Sequence, residues 1–223
     1  MKIGISGLPV TGKSTFIKNL DYPFIISYGE AARKVYTLYP AYLSDLKKFE
    51  RTIFDYQVNI ESLNFNNMLE IFDRTIIDNI VFALINDENQ GKELMLLAKE
   101  LYAKSLLKKY DFIYFFDLKK VNTKFVKNVI NSDTLRQKTL AGYDLNCFAK
   151  IYKEKFLKVS KYFGIDVWIY TTEANIESFE ERNRKIKEEI KDYGLKTFSS
   201  SFDNFDFDSK TSLYMQWKGL YVL

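Results

Sequence analysis

Apolar residues along the chain follow two rhythms. Five short runs, residues 2–6, 24–27, 68–72, 112–116 and 167–170, are dense enough in apolar side chains to predict strands. The fourth is apolar throughout, as expected of a strand covered on both faces. Elsewhere apolar positions recur every three or four residues, the spacing of a helix with one buried face. That spacing predicts helices over 13–20, 30–38, 46–63, 76–85 and 94–107, the longest marked by Leu46, Phe49, Ile53, Phe54, Val58, Ile60 and Leu63. Pro40 closes the second helix because its ring cannot continue the hydrogen-bond ladder, and residues 87–91 read as a turn. Strands alternating with helices predict an α/β chain with a mostly parallel sheet and helices on both sides. The rhythm changes near residue 195. A Phe-, Tyr- and Ser-rich segment with alternation over 212–222 predicts a short β-rich extension over 195–223, added to a core over 1–194.

Composition narrows the chemistry. The 223 residues include no histidine and one cysteine, Cys147. A His-based triad, a His general base, a His-containing metal site and a disulfide framework are thereby excluded. Chemistry must run on carboxylates, Lys, Arg, hydroxyls or a cofactor. The amino terminus enters a strand-like run directly and no window reaches the length of a membrane span, so a cytoplasmic protein with no membrane partner is expected. The net charge of +4 is uneven: residues 119–161 carry eleven Lys or Arg against three Asp or Glu, a local +8. Such a field suits a nucleotide or a nucleic acid, although a solvated Lys-rich helix would give the same count.

Between the first strand-like run and the first helix lies Gly7-Leu8-Pro9-Val10-Thr11-Gly12-Lys13-Ser14, a match to the phosphate-loop pattern of glycine, four residues, glycine, lysine and serine or threonine. Its place between strand and helix is the one the mechanism requires. Glycines let successive backbone N–H groups curl toward phosphate oxygens, and the following helix adds its positive end. Gly7, Pro9, Thr11, Gly12, Lys13, Ser14 and Thr15 are the candidate nucleotide-binding residues. Lys13 is expected at the β- and γ-phosphates, Ser14 at Mg²⁺ and Thr15 at the α-phosphate.

Glu30 follows the second run and Asp73-Arg74 ends the third, and the carboxyl ends of parallel strands share one edge with the loop. Only six of the 33 basic residues are arginines. Arg33, Arg74 and Arg136 fall near that edge, whereas Arg51, Arg182 and Arg184 read as solvated helix residues. The loop, together with Tyr28-Gly-Glu-Ala-Ala-Arg33, Gln57 in the long helix and Ile71-Phe-Asp-Arg-Thr75 with Asp78 behind it, resembles the small P-loop kinases over roughly residues 1–190. The likeness is to ribosylnicotinamide kinases and, more distantly, to deoxynucleoside and thymidylate kinases. Val10 departs from the pattern, since many members carry a small residue there.

The resemblance implies a P-loop NTPase three-layer sandwich with a five-stranded parallel sheet in the order 2-3-1-4-5. It also implies ATP or another nucleoside triphosphate with Mg²⁺ as donor, and a nucleoside, nucleotide or related small molecule as acceptor. By the same likeness Glu30 and Asp73 are the acceptor-activating base and the metal-linked acid, in either assignment, with Asp78 next in line. Arg74 pairs with phosphate or shapes the acceptor site, and Arg33 and Gln57 belong to the substrate site. The segment over about 119–146 is implied to be a lid that inserts Arg136 over the phosphates.

Two other functions compete. A polynucleotide or modified-base DNA kinase would use the basic stretch as a phosphate track, with Phe125, Tyr143, Phe148 and Tyr152 interleaved. On the small-acceptor reading Lys150, Lys153 and Lys158 are merely solvated along a helix. A nucleotide-dependent switch or regulatory ATPase would instead bind a partner through the aromatic C-terminal segment. Glu30, Asp73 and Arg136 favour a kinase over a switch, and nothing in the pattern selects the acceptor, the donor base or an oligomeric state.

Overall fold

A computed structural model describes residues 1–63, 68–121, 123–140 and 143–202. Strands β1 (Lys2–Gly7), β2 (Ile25–Tyr28), β3 (Leu69–Asp73), β4 (Phe112–Leu118) and β5 (Val167–Thr172) form one parallel sheet in the order β2-β3-β1-β4-β5, as the resemblance implies. Around it lie α1 (Lys13–Lys18), α2 (Ala31–Leu38), α3 (Leu46–Ser62), α4 (Ile76–Asn86), α5 (Glu88–Ala103), α6 (Lys124–Asn131), α7 (Thr134–Thr139), α8 (Leu145–Phe163) and α9 (Ile176–Phe202). Every residue of β1, β3 and β4 is buried. One face of the sheet packs Phe115 against Ile77, Ile80, Tyr152 and Phe156 of α4 and α8. The other packs Ile3, Ile5 and Tyr114 against Phe16 of α1 and Ile186 and Ile190 of α9. No helix among the described residues is long and apolar enough to cross a membrane.

Register brings the candidate residues together. Ile5 pairs with Asp73, Tyr28 with Phe72 and Gly7 with Phe116, so the ends of β1, β2 and β3 deliver the loop, Glu30 and Asp73 to one edge. Gly7 sits at φ 125°, and a Cβ there would run into the Phe116 backbone. Only glycine lets β1 turn into the loop this close to β4. The Leu8 N–H then donates to the Phe116 carbonyl at 3.2 Å.

Two segments differ from expectation. Residues 88–91, read as part of a turn, are the first turn of α5. The Asp87 carboxylate accepts from the Asn89 and Gln90 N–H groups at 3.0 and 3.1 Å, so it is a helix cap. Gly91 lies where α5 crosses α4, against the Leu84 backbone, with no room for a Cβ. At the other end α9 continues as helix to Phe202, past residue 195 where the β-rich extension was expected to begin; the alternation over 212–222 lies outside the described residues. Helix α9 runs down the sheet from the β5 end, past the loop at Arg182, to Gly194, which packs on Phe24 just before β2.

Candidate active site

The loop is held by its own polar groups. Gly12 occupies the left-handed region at φ 79° and caps α1. The Lys13 ammonium is buried and donates to the Gly7 and Leu8 carbonyls at 3.1 and 2.6 Å and to Thr11 Oγ1 at 3.3 Å. Burial, reinforced by nearby Arg74, pushes the Lys13 ammonium well below its ordinary value. Thr11 Oγ1 donates to the Leu8 carbonyl at 2.9 Å. Val10, the departure from the family pattern, is buried at φ 67°, a conformation costing on the order of 1 kcal/mol or more for a β-branched residue. Thr15 is exposed in the first turn of α1.

Ser14 Oγ donates to Asp73 Oδ2 at 2.5 Å, while Asp73 Oδ1 is buried with no hydrogen-bond partner. Burial, with Glu30 adding, raises the Asp73 carboxyl above its ordinary value. A hydroxyl beside a carboxylate that has one free oxygen fits a divalent cation. Among the described residues no group of three or more metal-ligating side chains gathers, so such a cation would take most of its oxygens from phosphates and water, as Mg²⁺ commonly does.

Arg74 joins the loop to the second carboxylate. Its backbone is left-handed at φ 74°. Its Nη1 donates to the Gly7 carbonyl, to Asp78 Oδ1 and to the Tyr152 hydroxyl, each at 2.9 Å. Its Nε faces Glu30 Oε1 at 3.3 Å, and Arg33 Nε holds Glu30 Oε2 at 3.0 Å. Burial alone would raise the Glu30 carboxyl, but Arg74, Arg33, Lys13 and Arg136 outweigh it and hold Glu30 below the usual carboxylate range. Arg33 also reaches Asp133 at 2.5 Å, the N-cap of α7, and Asp133 in turn pairs with Arg136 at 3.4 Å.

These residues form one end of a cavity of about 320 Å³ enclosed by α2, α3, α4, α7 and α8. Pro9 of the loop, Glu30, Arg33, Arg74 and Arg136 line its charged end. The rest is walled by Phe49, Ile53, Phe82 and Phe148, with Glu50, Asn79, Asn86 and Tyr143 set among them. Glu50 Oε1 accepts from Asn86, whose carbonyl accepts from the Tyr143 hydroxyl at 2.5 Å. Glu50 Oε2 and Asn79 Nδ2 are buried without partners. Burial pushes the Glu50 carboxyl up to about 7 despite the Asn86 hydrogen bond.

Several expected residues are placed differently. Gln57 is fully buried and does not line the cavity. Its amide donates to Glu61 Oε1 at 2.8 Å and to the Arg74 carbonyl at 3.2 Å, so any influence on substrate passes through Arg74. Asp78 is saturated by Ser6, Thr75, Arg74 and Tyr152 and closes the capping box of α4, which leaves no oxygen for an acceptor. Arg51 and Arg184 are exposed as expected, but Arg182 is only 4% exposed. Lys150 and Lys158 are exposed, whereas Lys153 pairs with Asp117 at 2.6 Å. Phe148 and Tyr152 are core residues, and Phe125 packs edge-on against Phe179. Glu50, Asn79 and Arg182 escaped the sequence reading because polar residues on amphipathic helices carry no mark of which face is covered.

No protein-family model and no curated sequence matches the chain. Solved structures match it in fold. Deoxyadenosine kinase from M. mycoides, with dCMP and a flexible dCDP bound, aligns with a TM-score of 0.56 at 17% identity, over 86% of this chain and 100% of that one. The same enzyme with dATP bound gives 0.52 at 17% identity, over 83% and 98%. Thymidylate kinase from Candida albicans gives 0.51 at 20% identity, over 86% and 91%. These neighbours are P-loop kinases of the deoxynucleoside and thymidylate branch, the more distant of the two likenesses drawn from sequence, and at such identities they establish the fold.

Proposed function

We propose that this protein transfers the γ-phosphoryl group of ATP, or of another nucleoside triphosphate, to a hydroxyl of a nucleoside seated in the cavity. The observation that carries this reading is the Gly7–Arg74–Glu30 connection, in which one buried guanidinium bonds both the phosphate loop and a cavity-lining carboxylate. Glu30, kept ionised by its arginines, accepts the hydroxyl proton as the new P–O bond forms and the bond to the departing diphosphate breaks. A loose transition state asks little basicity of that group, so position and charge matter most. Arg33 and Arg136 add positive charge at the same end. Ser14 and Asp73 are the residues that would hold Mg²⁺, which when bound neutralises charge on the β- and γ-phosphates. The segment over about 119–146, which supplies Leu135, Arg136 and Tyr143 to the cavity wall, acts as the lid that keeps water from the transferring group.

The aromatic end suits a nucleobase, with Glu50 Oε2 and Asn79 Nδ2 free to meet its donor and acceptor edge. The deoxyadenosine kinase neighbour, solved with dCMP or dATP, supports an acceptor of that class. Three arginines around one carboxylate also favour a second reading, a nucleoside monophosphate acceptor, as the thymidylate kinase likeness suggests. A screen with γ-labelled ATP over nucleosides, nucleoside monophosphates, nicotinamide riboside and DNA 5′ ends tests both. Label on a nucleoside is expected, label on a monophosphate selects the second reading, and label on none of them overturns the proposal.

A further inference from the structure

Arg182, expected on the surface of α9, is turned inward beneath the phosphate loop. Its guanidinium stacks 3.8 Å from the centre of the Phe116 ring and 5.0 Å from that of Phe179. Nη2 donates to the Thr11 carbonyl at 2.8 Å, and Nη2 and Nε reach Asn183 Oδ1 at 2.8 and 3.2 Å. Nη1 is buried without a hydrogen-bond partner. No carboxylate among the described residues pairs with this cation, and burial alone lowers its pKa to about 9, so it stays protonated at neutral pH. A buried charge with no counter-charge is costly, and such a group is retained most readily where an anion comes to it.

The place of the contact matters. The Thr11–Gly12 peptide is planar and trans, so its carbonyl and its N–H point in opposite directions. Tying the Thr11 carbonyl to α9 turns the Gly12 N–H away from α9. Phe116 anchors the other end of the same loop, accepting the Leu8 N–H and closing on Gly7. We infer that Arg182 is a positioning residue for the phosphate loop: it aims the Gly12 N–H at the donor's phosphates and lends them a buried positive charge. The inference rests on the reading of Gly7–Ser14 as the donor site, and adds to it a residue 169 positions further along the chain than Lys13.

The test compares wild type, Arg182→Lys and Arg182→Met by calorimetric binding of ATP with Mg²⁺, alongside melting temperatures without nucleotide. Loss of a charge-assisted contact predicts ATP binding weakened by about tenfold or more in Arg182→Met. A smaller loss is expected in Arg182→Lys, which keeps the charge but not the planar fork. The KM for the acceptor should stay at the wild-type value in both. A purely structural role would lower the melting temperature and leave ATP affinity intact, and that result overturns the inference. Should Arg182→Met not fold, the Arg182→Lys comparison decides by the same criterion. Wild type that binds no ATP overturns the donor-site reading, and this inference with it.

Discussion

Glu30 and Asp73 occupy the same sheet edge, yet their surroundings pull their protons apart. Arginines on two sides keep Glu30 ionised, while burial raises Asp73 against the Ser14 hydroxyl. On the function proposed above, this contrast supports Glu30 as the base and Asp73 as the metal-linked group, roles that spacing alone leaves interchangeable. Glu30→Gln should therefore bind ATP with Mg²⁺ normally and lose about 10² to 10⁴ in turnover, whereas Asp73→Asn should shift the Mg²⁺ dependence of the rate; full activity in both would move acceptor activation elsewhere. Glu50 gives a second prediction. Its folded pKa of about 7 lies above the ordinary carboxylate value, so the stability it confers is complete below that ordinary value and is lost as pH rises through 7. Asp87 adds to the upward push, while Asn86 and Tyr143 complete the polar chain around it. Urea unfolding at pH 5 and pH 8 should show wild type losing up to about 3 kcal/mol that Glu50→Gln does not lose; equal losses would mean that Glu50 does not titrate in this range. Glu30, Asp73 and Arg74 were legible because each stands at a strand end, a place that apolar runs reveal. Glu50 and Arg182 were not, because an isolated charged residue on a helix reads as solvent-facing until the partner that covers it is known.

Helix α7 is the element on which turnover should depend most. It is six residues long and is held to α2 by the bridge from Arg33 to its cap Asp133, so it depends on tertiary contacts for its position. Arg136→Ala is predicted to cut turnover by about 10²-fold or more with the fold intact, as removal of one preorganised donor does elsewhere. Lys150→Ala and Lys158→Ala, on the exposed side of α8, should change little. If the basic stretch tracks a nucleic acid instead, those lysine variants will weaken binding of a 20-nucleotide strand and flatten its salt dependence. At this scale the central strands β1, β3 and β4 are legible because a central parallel strand is apolar on both faces. The start of α5 was misread because Asp and Gly signal turns and helix caps alike. The choice was made by α4, whose close approach at Gly91 only the folded chain contains.

Across the whole molecule, the sheet separates two ends with different tasks. The ends of β1, β2 and β3 gather the loop, both carboxylates and the cavity, while α9 travels the other way. Its 27 residues span about 40 Å, and the stretch from Arg182 beside the loop to Gly194 against Phe24 before β2 covers about 18 Å of that. By Gly194, α9 has thus reached the sheet edge opposite the one that holds the loop. Deletion after Phe202 should leave phosphoryl transfer near wild-type rate in the labelled-ATP assay, and a collapse of activity would show that the last segment serves the chemistry after all. The same geometry fixes how the protein can be handled. A reporter or a surface tether attached at exposed Lys191, near the Gly194 end of α9, leaves the cavity facing solution, whereas an attachment at α7 would obstruct it.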